Sequence, residues 1–121
     1  MKTSKDPRHI KRIKLMQELF SWQFAKSKKA PRDLSAIISH LSSIDKLIAK
    51  SAPDWPINQI NKIDLAILRL AVFELTMNED TPPKVVIDEA VELGKEFGAD
   101  SSPGFINGAL GKLVEIKKIS T

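Results

Sequence analysis

Few side chains in this protein are of a type that performs covalent or proton-transfer chemistry. Its two histidines, His9 and His40, fall in different segments. Neither has a Glu-x-x-His or His-x-x-x-His companion that would set two metal ligands on one helix face. Both read as surface or cap residues. The carboxylates Asp88, Glu89 and Glu92 lie close together and have the form of an acid/base or metal cluster. A solvated acidic face is the preferred reading, because no nitrogen base or ligand is placed to complete such a site. There is no Gly-x-Ser-x-Gly elbow, phosphate loop or dinucleotide fingerprint. The absence of cysteine removes disulfides and thiolate metal sites. These residues describe a protein that is not an enzyme and holds no metal.

The chemistry that remains is electrostatic. Residues 1–32 carry ten Lys or Arg against Asp6 and Glu18, a balance of +8, whereas residues 33–121 carry nine against thirteen carboxylates, a balance of −4. The overall charge of +4 hides this asymmetry. A basic cluster of this kind is the footprint of a polyanion-binding surface, and a solvated charged face is its ordinary alternative. With 42% apolar and 28% charged residues in 121, the chain has the composition of one folded domain with a single core. Apolar runs broken by Arg69 are too short to span a bilayer, and no apolar stretch of a secretory signal follows the basic start. An intracellular, soluble protein is expected.

Five helical segments must position these charges, and no strand competes with them. The first opens at Asp6-Pro7, a capping carboxylate before a proline at the first helical position, and runs to about residue 26. Ile10, Ile13, Phe20 and Phe24 share one arc of it; Arg8, Lys11 and Arg12 share the other side with Leu15, Leu19 and Trp22. The second, with Leu34, Ile37, Ile38, Leu41, Ile44, Leu47 and Ile48, is strongly amphipathic and ends before Pro53. After the turn at 51–56, a third helix over about 58–77 is apolar nearly all round, as a central element should be. A fourth, from Thr81-Pro82 to Gly98, turns Val86, Ala90, Leu93 and Phe97 inward and Asp88, Glu92, Lys95 and Glu96 largely outward. The fifth starts at Ser102-Pro103. Its interior Gly108 and Gly111 each cost about 1 kcal/mol relative to alanine and suggest close approach of another backbone or a ligand. Short connections between such helices predict a single all-α bundle.

Three stretches of the second half, NQINKIDLAILRLAVFEL (58–75), TPPKVVIDEAVELGKEFG (81–98) and SSPGFINGALGKL (101–113), resemble the C-terminal half of the NusB family, and RHIKRIKLMQELFSW (8–22) is similar to that family's first helix. The resemblance implies an all-α domain built from two small bundles, spanning residues 1–121 with a basic helix at about 6–26 and a C-terminal bundle at about 57–119. It also implies a cytoplasmic transcription antitermination factor without a cofactor. Such factors bind single-stranded boxA-type RNA, usually jointly with the ribosomal protein NusE, and promote read-through of ribosomal RNA operons.

In the family, arginines in and before the first helix contact RNA. The matching positions hold Arg8, His9, Ile10 and Arg12, so two arginines are replaced. Lys2, Lys5, Lys11 and Lys14 compensate in charge, although lysine meets phosphate as a point charge without the planar guanidinium fork. Arg69 matches an RNA-side basic position, with a structural ion pair as its alternative. Asn107 matches a position where the amide caps, packs or touches RNA. Phe20 and Glu74 match positions that face NusE, and Trp22 projects as a partner anchor. Glu74 is a carboxylate in an apolar stretch, costly to bury alone; an external basic partner or an internal Lys or Arg would resolve it. Gly111 stands where the family often has a polar or acidic residue that tunes partner affinity.

Between Trp22 and Leu34 there is room only for a loop, so one helix of longer members is missing, which leaves surface for a homodimer. Two further readings are a non-catalytic protein–protein adaptor that has lost RNA recognition and a helical DNA-binding module. The acidic later helices argue against the module.

Overall fold

A computed structural model describes residues 6–25 and 29–121. These residues form six α-helices and no strand: α1 Pro7–Gln23, α2 Ser35–Ser39, α3 Leu41–Ser51, α4 Lys62–Thr76, α5 Pro83–Phe97 and α6 Ser102–Ile116. Short 3-10 turns at Arg32–Leu34 and Ile57–Gln59 join them. The starts follow from local chemistry. Asp6 accepts the Arg8 N–H at 2.8 Å to cap α1, and Asn61 accepts the Ile63 and Asp64 N–H groups at 2.8 and 3.3 Å to cap α4. Proline stands in the first turn of α1, α5 and α6, where a missing N–H costs nothing.

The single helix expected over 34–48 is two, which raises the number from five to six. The break lies at His40 (φ −108°, ψ 13°). Ser39 donates to the Ala36 carbonyl at 2.9 Å, and the His40 Nδ1 also lies 2.9 Å from that oxygen. Two side chains thus compete for an acceptor the helix would use for its own ladder. The first helix is also shorter than expected, since Phe24 already turns back to the Ser21 carbonyl.

α4 is the centre of the molecule and packs against α1, α3, α5 and α6. Every residue from Asp64 to Val72 is buried, as its all-round apolar sequence predicts. α5 packs closely on α6, and at Gly94 a Cβ would stand 2.8 Å from Ile106 Cδ1. The expectation of close packing at Gly108 and Gly111 is overturned: a Cβ added at either meets nothing within 4 Å. No helix among the described residues is long and apolar enough to cross a membrane.

The inward face of α1 also differs from its apolar pattern. The buried residues are His9, Arg12, Met16 and Leu19, while Ile10 and Phe24 are 51% and 60% exposed. Periodicity assigns polar residues to solvent. Here carboxylates on α4 and α5 supply partners for His9 and Arg12, so the helix is rotated away from its most hydrophobic arc.

Candidate nucleic-acid interface

The polar contacts under α1 form a clasp across three helices. Arg12 donates through Nε and Nη2 to the two carboxylate oxygens of Glu74 on α4, at 3.0 and 2.7 Å. Its Nη1 reaches Glu89 on α5 at 3.2 Å, and Nη2 also reaches the Thr81 hydroxyl at 3.3 Å. One turn earlier, His9 Nε2 lies 2.7 Å from Glu96 and Nδ1 lies 3.4 Å from Glu89, both on α5. The Glu74 hydrogen bond, more than any other interaction, holds the Arg12 pKa above its ordinary value, against the opposing pull of desolvation.

This geometry corrects three expectations. His9 is 2% exposed and is not a surface residue. Arg12 is 7% exposed and does not stand on the open basic face. Glu89 is buried between them and is not part of a solvated acidic face; Asp88 is exposed. Of the two outcomes left open for Glu74, the internal pair is the one formed.

What α1 presents outward is Arg8, Lys11 and Lys14. Arg8 is exposed and folds back on the capping Asp6 at 3.3 Å. That hydrogen bond, with the backbone N–H of Arg8, lowers the Asp6 pKa. Lys14 is exposed, 3.3 Å from Asp33 and 3.8 Å from Glu18. All three cations border a groove of about 420 Å³ between α1, α2 and the C-terminal end of α4. Its apolar lining comes from Leu15, Ile37, Leu70 and Phe73, and the carboxylates Asp33, Glu74 and Asp80 line it as well, with Asn78 and Thr81. Exposed cations beside an apolar lining suit a ligand that carries both phosphate and flat apolar surface, although Asp33, Glu74 and Asp80 offset part of that charge.

The other expected site residues are dispersed. Lys2 and Lys5 lie outside the described residues. Arg69, expected on the RNA side or in an ion pair, is buried in α4 and donates to both oxygens of Asp45 at 2.9 Å and to Gln23 at 3.0 Å; the ion pair is what forms. Asn107 is exposed and Gly111 half-buried on α6, which packs on α3, α4 and α5. Phe20 is half-buried and meets the exposed Phe24 edge-on at 5.1 Å. Trp22 is half-buried against the core.

Asp45, Glu89, Glu96 and the groove lining at Phe73 were not legible as functional positions. A signal for part of this was present: Glu89, Glu92 and Glu96 repeat at helical spacing, making a stripe complementary in charge to the basic first helix.

Comparison with known proteins identifies the fold. The NusB family model matches residues 30–115. The transcription antitermination protein NusB of Chloroflexus aggregans is 53% identical over 77 residues, which are 62% of this chain and 51% of that protein. The chain thus spans about half the length of curated relatives it matches, 51 to 60% of the first three. A T. maritima NusB structure superposes with a TM-score of 0.80 at 30% identity, covering 95% of this chain and 93% of that one. A chain from the crystal structure of antitermination factors NusB and NusE in complex with dsRNA gives 0.76 at 20% identity, covering 92% and 99%, and shows the fold alone. With its central and C-terminal helices matched over residues 30–115 and its fold shared with T. maritima NusB, this chain belongs to the NusB family.

Proposed function

We propose that the protein is a single-domain, non-enzymatic transcription antitermination factor of the cytoplasm. It binds single-stranded boxA-type RNA together with ribosomal protein NusE, uses no cofactor, and promotes read-through of ribosomal RNA operons. The observation that carries this reading is the exposed trio Arg8, Lys11 and Lys14 along the rim of the groove. Family membership supports it: relatives are transcription antitermination proteins, and a protein of the same fold is seen in a complex of NusB, NusE and dsRNA. The trio meets phosphate, Asn107 supplies a polar contact on α6, and the half-buried Phe20 with Trp22 and Gly111 faces the protein partner. Glu74 contributes through its hold on Arg12.

The deciding experiment is a fluorescence titration of labelled boxA-type and scrambled RNA, with and without NusE, with duplex RNA and DNA as competitors. Tighter binding of boxA RNA, strengthened by NusE, is the expected result. Equal affinity for boxA and scrambled strands overturns it. A second reading, an adaptor that binds the ribosomal protein without recognising RNA, rests on the internal engagement of His9, Arg12 and Arg69 and on Ile10. It predicts a tight protein complex and no preference among RNAs.

A further inference from the structure

The first two turns of α1, which carry Arg8, Lys11 and Lys14, have no fully buried apolar side chain. Their buried residues are His9 and Arg12; the first buried apolar residue of the helix is Met16. Ile13 is only partly buried. Hydrophobic burial ordinarily holds a helix to its core, but the cationic end of this one is held chiefly through the clasp. Arg12 engages Glu74 on α4 and Glu89 on α5 together, and His9 engages Glu96. The planar guanidinium satisfies two carboxylates and a hydroxyl at once, a geometry lysine cannot reproduce. It also fixes the rotation of α1, since turning the helix to free Arg12 would leave the part-buried Glu74 and the buried Glu89 without their cation.

We infer that Arg12 is a positioning residue for RNA binding, holding the cationic end of α1 on α4 and α5 so that Arg8, Lys11 and Lys14 face one strand, and is not itself a phosphate contact. This inference rests on the proposed function. It separates two roles that the basic start of the chain merges. Arg8 and Lys11 act by charge on the ligand, and their loss changes the number of counterions released. Arg12 acts through the fraction of molecules whose α1 is docked, and its loss scales the apparent affinity by that fraction.

The test compares the salt dependence of single-stranded RNA binding in the full chain, Arg12→Ala, Arg12→Lys and the triple variant Arg12→Met with Glu74→Leu and Glu89→Leu, all at a temperature where circular dichroism shows each folded. Hydrogen exchange of residues 7–14 is measured in parallel. Arg12→Ala and Arg12→Lys are expected to weaken binding, about tenfold if one molecule in ten keeps α1 docked. The salt slope stays unchanged and exchange in 7–14 is faster, while α4 remains protected. The triple variant replaces the ionic clasp with apolar contacts. It is expected to recover both the affinity and the protection without any charge at position 12.

A slope that falls by about 0.7 in the triple variant, the mark of a lost single-strand phosphate contact, overturns the inference, even if Arg12→Ala fails to fold. Unchanged exchange of 7–14 in Arg12→Lys overturns it independently of RNA. If the parent chain binds no RNA, the proposed function fails, while the exchange measurement still decides whether the clasp holds α1.

Discussion

Arg69 and Asp45 meet as a parallel fork between α4 and α3, Nε to Oδ1 and Nη2 to Oδ2, both at 2.9 Å. Arg69 also donates to Gln23 at the end of α1 at 3.0 Å. One guanidinium thereby ties three helices near the middle of the core, where its own side chain is 9% exposed. Arg69→Ala is expected to cost about 2 kcal/mol, below the roughly 3–5 kcal/mol of a fully enclosed pair, because Asp45 keeps some contact with water. Urea unfolding should show a lower midpoint at unchanged m. Arg69→Lys should recover only part of the loss, for want of the second donor.

The exposed cations of α1 make a prediction about ligand rather than fold. Arg8→Ala and Lys11→Ala are each expected to reduce the slope of log affinity against log salt by about 0.7 for single-stranded RNA. The thermal midpoint should move little, since surface pairs such as Arg8–Asp6 contribute little to stability. Fluorescence titrations between low and moderate salt check this. Slopes unchanged in both variants would remove the trio from the RNA surface.

Gly108 in α6 and Gly98, just past the end of α5, should respond in opposite directions. Gly108 lies on the exposed side of α6 with open space around a new Cβ. Gly108→Ala is therefore expected to stabilise the isolated chain by about 0.5–1 kcal/mol. At Gly98 a Cβ would run into the Ser102 side chain and come within 2.8 Å of the Gly94 carbonyl. Gly98→Ala should destabilise by about 1–3 kcal/mol. Calorimetric midpoints of the two variants settle the contrast. If Gly108→Ala also weakens binding to RNA or the ribosomal protein, a partner's backbone lies against α6.

Asp64 gives stability a pH dependence of definite sign. It is buried at the start of α4, and desolvation raises its pKa above the ordinary 3.8 although a hydrogen bond with Ser102 pulls the other way. The folded state therefore holds this proton more tightly than the unfolded chain. The contribution is fully present below the unfolded value and is lost as pH rises through the folded one. Asp64→Asn is expected to flatten that segment, so that the variant compares better with the parent at pH 7 than at pH 4. Urea midpoints for both proteins across that range provide the measurement. A constant difference between the two would show that Asp64 does not titrate there.

The helical segments, their proline and Asp or Asn starts, the central place of α4 and the accumulation of positive charge at the N-terminal end were legible in the residues alone, because each depends on neighbours within one or two turns. Capping, proline geometry and all-round hydrophobicity are local properties. The rotation of α1 was not legible. Ile10 and Phe24, the two ends of its apolar arc, are exposed, and two polar residues are buried because Glu74, Glu89 and Glu96, more than sixty positions away in the chain, converge beneath them. How much positive charge α1 carries is written in its residues. Which of those side chains face solvent and which are consumed in holding the helix depends on the folded arrangement, since a buried ion pair needs partners from separate elements at hydrogen-bond distance.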